Sequence, residues 1–506
     1  MNERRVAVID LGSNSFRLVV FTWPADGSHW KRTDEIYEPV RIGEGLDATG
    51  DLQRKPIKRA LETLELFSHF CRHTEIDDIR PVATSAIREA GNQKEFLAAA
   101  RKRAGVGIRV LSREEEARFG YLAAVNTTRL ADGVALDIGG GSLQLTRVQD
   151  RLARDARSWP LGAVRMTERF LGDGRAKPKR MKALREHVRE SVAEAKWLED
   201  AGRDGRLAGI GGTVRNLAAA AMAAADLPAP NVQGFELGRD ALGRLVERFA
   251  DMTPGDRGKV PGIKPERGDL ILAGALVIES VLDAGGFDFL EVTQAGLREG
   301  VFFGVLLEDR DPPLFDDVRR EAVRNLAAQY GTDFVHADHV ARLALGMWDE
   351  LAVAGLHDAG RTERELLWAA ALLHDIGTAV DYDDHHKHSR YLILNAGLPG
   401  HSPRETALIA QMTRYHRKGS PSLGDLAPLA RKGDDALLRR CAAVLRLAEQ
   451  LERSRDQLVH AAHLEVRDGS LRLAIEADED ATLARWSAGR HLDVLERAVG
   501  RRVELA

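Results

Sequence analysis

Asp10 and Asp137 each end an apolar run and open a turn built from glycine and hydroxyl residues. The two segments, VAVIDLGSNSFRLVVF (Val6 to Phe21) and GVALDIGGGSLQLTRV (Gly133 to Val148), read almost as copies. Glycine lets backbone N–H groups approach an anion and take up positive φ. The donors would be Gly12, Ser13, Asn14 and Ser15 in the first turn and Gly139, Gly140, Gly141 and Ser142 in the second. A carboxylate placed just before such a turn can hold a hydrated cation, and Mg²⁺ needs only one or two carboxylates beside phosphate oxygens. A third turn, Gly211, Gly212 and Thr213 in RLAGIGGTVRNLAAAA, enters a helix and would aim further N–H groups and a helix-dipole end at phosphate. A single glycine turn is often a ligand-free hairpin, whereas the set implies two related lobes facing one phosphate-bearing ligand.

Hydrolysing a phosphoanhydride also needs an activated water and cationic support. The run SREEEAR offers three consecutive glutamates, Glu114 to Glu116, which point in three directions on a helix, so only one can face a cleft. A carboxylate held there could deprotonate water; the plain alternative is a charged first helical turn. Arg88 in ATSAIREA has the planar guanidinium suited to bidentate phosphate binding.

The elements that must position these groups follow from periodicity and capping signals. Gln53 to Arg72, Gln93 to Ala104, Arg113 to Val125 and Lys179 to Leu198 read as helices, and Asp78 to Ala83 and Arg109 to Leu111 as strands. Ser112 with Glu115 three residues on forms a capping-box pattern. Arg206 to Ala221 and Phe289 to Gly304 each read as strand, turn and helix. Repeated β–β–α lobes imply a two-lobed α/β fold. After the break at Glu308 to Pro313 (EDRDPP) the pattern is helical to about residue 460, and a small α/β segment follows.

A chain of 506 residues is too long for one core and implies about three or four domains. The net charge of −4 carries no global polyanion signal, although Arg151 to Glu190 holds 12 Lys/Arg against 5 Asp/Glu, a local balance of +7 that also suits a solvated basic helix. Two distant cysteines, Cys71 and Cys441, argue against a disulfide framework and for a reducing compartment. Asp10 interrupts the early apolar run, against a signal peptide. The longest apolar stretch, Leu217 to Leu227, is about half a bilayer crossing. A cytoplasmic protein without membrane or specific nucleic-acid partners is expected.

The ordered set DLGSNS, ATSAIREA, SREEEAR, DIGGGS, GIGGT and GLREG resembles the exopolyphosphatase / guanosine pentaphosphate phosphohydrolase family over roughly residues 5 to 310. That resemblance implies two actin/hexokinase-like (ribonuclease H-like) lobes, 1–125 and 126–310, then an all-α HD-like domain, 311–460, and a small C-terminal α/β cap, 461–506. It carries the catalytic glutamate onto Glu116, with Glu115 as the alternative one register step away, and the metal-binding aspartate onto Asp137, with Asp10 facing it. Arg88 matches an arginine that contacts the phosphate being cleaved, and Arg41 and Arg267 match positions near the cleft. In the HD-like part, His336 or His339, then His374–Asp375, then Glu449 where an aspartate is usual, resemble a metal set altered at its last member. The cluster Asp381 to Ser389 and His416 add candidates, and the plain reading is buried core histidines. A helical platform whose Arg414, His416, Arg417 and Lys418 grip a polyanion is the favoured role. A homodimer is implied by the family.

The leading expectation is an exopolyphosphatase that uses Mg²⁺ and takes orthophosphate stepwise from inorganic polyphosphate; the runner-up is removal of the terminal phosphate of guanosine pentaphosphate (pppGpp). An acceptor-directed phosphotransferase or ATPase of the same superfold lacks a nucleoside-pocket motif. A binding protein without activity is disfavoured because Asp10, Asp137, Glu116 and Arg88 are all present.

Overall fold

Val6–Leu11 is buried throughout except at Asp10, which is half-buried at the end of the run. A strand covered on both faces reads as continuous apolar sequence, and this one is the centre of a sheet. The computed structural model describes residues 3–358, 360–478 and 480–506. They divide into two compact units, Met1–Asp226 with Val232–Val318, and Leu227–Asn231 with Arg319–Ala506.

The first unit holds two sheets of matching topology. In the first, β1 (Glu3–Leu11), β2 (Phe16–Pro24), β3 (Lys31–Glu38), β4 (Asp78–Ala83) and β5 (Arg109–Val110) lie in the order β3-β2-β1-β4-β5. In the second, β6 (Gly133–Ile138), β7 (Leu143–Gln149), β8 (Leu152–Trp159), β9 (Arg206–Ile210), β10 (Glu236–Gly238) and β11 (Phe289–Val292) lie in the order β10-β11-β9-β6-β7-β8. Each sheet is an antiparallel three-strand meander whose first strand continues into parallel neighbours, β4 in one and β9 in the other. The second adds β10 as an antiparallel edge. Registers correspond as well: Asp10 stands opposite Arg17, and Asp137 opposite Gln144.

Two helices tie the sheets together. Arg113–Val125 begins at the capping box, with Ser112 Oγ accepting from the Glu115 N–H and the Glu115 carboxylate accepting from the Ser112 N–H. Leu297–Leu306 follows the second sheet in sequence but packs against β1, and Phe302 stacks on Phe21 of the neighbouring β2 at 4.2 Å between ring centroids. The two helices approach so closely that a Cβ on Gly300 would lie 1.8 Å from the Phe119 carbonyl oxygen. Only glycine permits that backbone contact.

Two sequence readings need correction. The helix expected over Lys179 to Leu198 runs Pro178–Val192 and then breaks; the turn carries both Ala195 and Leu198 into the core before a short second helix, Leu198–Gly202. The basic segment is partly neutralised locally, with Arg165 paired to Asp47 at 2.9 Å and Glu89 at 2.8 Å, and Arg185 to Glu279 at 2.7 Å.

The second unit is mainly helical: Phe334–Val353, Arg361–Leu373, His385–Ala396, Pro403–Tyr415 and Asp434–Leu451 surround a core that includes Trp348, Leu367 and Leu445. A three-stranded sheet, β12 (Val459–Arg467), β13 (Ser470–Ala477) and β14 (Val503–Leu505), shares that core through Leu464, Leu471 and Leu473. No helix among the described residues is long and apolar enough to cross a membrane.

Candidate active site

The two glycine hairpins meet at one cavity in the first unit. Their turns close alike, Gly12 N–H donating to Ser15 O at 3.2 Å and Gly139 N–H to Ser142 O at 3.0 Å. They also touch: a Cβ on Gly140 would stand 3.2 Å from Ser13 Cβ, and one on Gly141 2.4 Å from Ser85 Oγ. Gly12, Ser13, Asn14, Ser15, Gly139, Gly140 and Ser142 line the cavity with Gly211, Gly212 and Thr213. Gly141 stands behind the loop against Ser13 and Ser85. Gly211 takes φ +106°, where a Cβ would fall 2.6 Å from the Ile138 carbonyl oxygen, so this turn requires glycine.

The helix Arg113–Val125 brings Glu116 to the same cavity. Gly120, one turn further along the same face, packs against Asp137, where an added Cβ would lie 3.4 Å from Asp137 Oδ2. Glu116 is 7% exposed, accepting from Arg88 Nη1 at 2.7 Å through Oε2 and from Ser142 Oγ at 3.3 Å through Oε1. Burial raises its pKa above the ordinary carboxylate value, and the Arg88 charge opposes that rise only in part.

Glu115, the alternative base, does not line the cavity. Its carboxylate closes the capping box and pairs with Arg109 away from the cavity. Arg88 is likewise not among the cavity-lining residues; its Nη1 is engaged with Glu116 and the Leu111 carbonyl. Arg41 lies outside the cavity too, 3.5 Å from Asp269, whereas Arg267 lines it.

The cavity's own cations are Arg17, Arg215, Arg267 and Arg298, of which sequence reading singled out only Arg267. Their signal was present: an arginine follows each turn by two or three residues in SNSFR, GGTVR and GLR, while the second hairpin has Gln144 instead. Arg298 reaches Asp10 at 3.5 Å because its helix returns to β1. Burial, with crowding by like charges second, lowers the pKa of Arg215 to about 10 and lowers those of Arg17 and Arg267.

The two aspartates therefore differ. Asp10 has Arg298 beside it and Arg17 across the ladder. Asp137 has no ion-pair partner among the described residues, and burial with the nearby charges of Glu116 and Asp10 raises its pKa to about 7. A buried carboxylate near two others, with the Arg215 and Arg298 charges offsetting them only in part, fits a divalent cation, whose charge would restore its ionised form.

In the second unit, His336, His374, Asp375 and Glu449 do come together, with His336 Nε2 3.1 Å and His374 Nε2 3.2 Å from Glu449 Oε2. His339 is turned away, toward the Val459 carbonyl oxygen at 2.8 Å and Glu452. Of the residues read as a polyanion grip, His416 is 1% exposed and faces the histidine cluster, Arg417 covers the Tyr382 ring and Lys418 pairs with Asp384 at 3.0 Å.

Duplicated hairpins facing one phosphate-sized cradle, with a buried glutamate between them, define a phosphatase of the actin-like fold. The chain belongs to the Ppx/GppA phosphatase family, whose model matches residues 28–309; the model for Ppx/GppA phosphatase, domain III, matches residues 318–487. Among solved structures it is similar to the Aquifex aeolicus Ppx/GppA family member, at 27% identity and TM-score 0.53, over 61% of this chain and 99% of that one. It is also similar to an exopolyphosphatase-like protein at 28% identity and TM-score 0.54, over 60% of this chain and 97% of that one. An exopolyphosphatase from Cytophaga hutchinsonii shares the fold at 22% identity and TM-score 0.56, over 60% and 98% of the two chains.

Proposed function

We propose that the chain is an exopolyphosphatase that hydrolyses the terminal phosphate of inorganic polyphosphate. The carrying observation is the buried Glu116 carboxylate, held by Arg88 and Ser142 beside Asp137 and both glycine turns. In this reading Glu116 accepts a proton from the attacking water as its oxygen bonds to the terminal phosphorus. The phosphoanhydride P–O bond breaks, and the shortened polyphosphate leaves as the oxyanion. Turn amides of Ser13 to Ser15, Gly140 and Ser142, and Gly211 to Thr213 orient the terminal phosphoryl group, while the Gly12 and Gly139 N–H groups close their own turns. Arg298, Arg215, Arg17 and Arg267 offset the charge of that group and its neighbours, while Arg88 positions Glu116. Asp137, with Asp10 nearby, would hold Mg²⁺, which when bound supplies positive charge against the phosphate oxygens.

Polyphosphate is favoured over pppGpp by the cavity's lining. Among the described residues no aromatic side chain lines it, and its polar surface is glycine amide, hydroxyl, arginine and carboxylate. A guanine base is commonly held by stacking and apolar contact. The exopolyphosphatase-like relative accords with this choice. Product analysis with each substrate tests it: orthophosphate is released from polyphosphate in Mg²⁺, and release from pppGpp alone would overturn the assignment.

A further inference from the structure

Three histidines in the second unit share one hydrogen-bonding habit. His374 Nδ1 lies 2.7 Å from the Ala371 carbonyl oxygen, His385 Nδ1 2.9 Å from that of Tyr382, and His416 Nδ1 2.7 Å from that of Thr413. Each carbonyl accepts from Nδ1–H, so in the neutral ring Nε2 carries the lone pair. This is how proteins fix imidazoles that ligate metals.

The lone pairs converge on Asp375. His385 Nε2 lies 3.3 Å from Asp375 Oδ1 and 3.1 Å from His416 Nε2. Two neutral rings with their protons on Nδ1 have no hydrogen to share at that distance, and a metal ion taking both lone pairs satisfies the contact without protonating either ring. On the other side of the same carboxylate, the buried His374 Nε2 lies 3.5 Å from Asp375 Oδ2 and 3.2 Å from Glu449 Oε2. His336 Nε2 and Glu449 Oε2 complete that side. The donor atoms of His336, His374 and Asp375 lie within 4.8 Å of one another, as do those of Asp375, His385 and His416. Ligands around a tetrahedral ion at about 2.0–2.1 Å stand about 3.4 Å apart, close to these separations.

We propose that the second unit holds a dinuclear transition-metal centre bridged by Asp375, one ion on His336, His374 and Glu449, the other on His385 and His416. Mixed imidazole and carboxylate donors suit Zn²⁺, Mn²⁺, Fe²⁺ or Co²⁺ rather than Mg²⁺. Arg455, 2.7 Å from Asp375 Oδ2, steadies the bridge from its solvent side. The site is independent of the phosphatase cavity and of the function proposed for it.

The test is metal stoichiometry on the full chain. Protein stripped with a chelator is titrated with Co²⁺ in millimolar Mg²⁺, which saturates oxygen-only sites, while visible absorption is followed and metal per chain is counted after desalting. Two equivalents are expected for the unmodified chain, one for His416→Gln, and fewer than one for Asp375→Asn. One equivalent or none in the unmodified chain, or two retained in folded His416→Gln, overturns the proposal. If a variant does not fold, the break point of the unmodified chain decides.

Discussion

Arg88 donates to Glu116 across 28 residues of sequence, and the 2.7 Å bond is buried beside the glycine turns. An arginine read from sequence as a phosphate ligand thus holds the carboxylate that lines the cavity. Buried charge partners act on one another's ionisation more strongly than surface pairs.

Arg88→Gln follows from that contact. Arg88 lowers the Glu116 pKa while burial raises it, so its removal leaves burial unopposed. The acidic limb of the pH dependence of kcat/KM should move to higher pH, with kcat at neutral pH falling by about 10- to 100-fold. An unchanged limb would show that Arg88 acts elsewhere.

Asp137 makes stability depend on pH and metal together. Its folded pKa of about 7 lies above an unfolded value of about 3.9, so its contribution is full below pH 4 and is lost as pH rises through 7. Without divalent ions the chain should therefore lose stability across that window, and Mg²⁺ should raise Tm more at pH 7.5 than at pH 5.5. Asp137→Asn should flatten both effects. Thermal melts across pH, with and without Mg²⁺, measure this.

Glu115→Gln separates the neighbouring glutamates. Glu115 closes the capping box rather than lining the cavity, and glutamine can still accept from the Ser112 N–H, so the variant should keep kcat within about 3-fold and lose no more than about 0.5 kcal/mol of stability. Denaturant titration and a turnover assay on one preparation check both halves.

Gly300→Ala probes the helix crossing that places both Glu116 and Arg298. The added methyl group would collide with the Phe119 carbonyl oxygen at 1.8 Å, forcing the helices apart. A loss of about 1–3 kcal/mol is expected, with reduced turnover even below the melting temperature. Wild-type turnover in a destabilised variant would uncouple the crossing from the site.

Local signals made much of this architecture legible. The hairpins of Asp10 and Asp137, the Ser112–Glu115 cap and the strand–turn–helix at Gly211 are short-range patterns, and each is present. What sequence left open depends on long-range packing. Glu115 and Glu116 differ only in which face the helix turns to Asp137. Arg298 reaches Asp10 because its helix crosses back to β1. The break after Val192 follows from burying both Ala195 and Leu198, for which no glycine or proline gave warning. The joining of His385 and His416 to Asp375 brings together three separate elements.

The most direct test of the catalytic account is Glu116→Gln, which keeps the side chain's shape and removes its basicity. Orthophosphate release from polyphosphate should fall at least about 100-fold while polyphosphate binding stays within about 3-fold of the unmodified chain. Turnover retained at the unmodified rate would contradict Glu116 as the base.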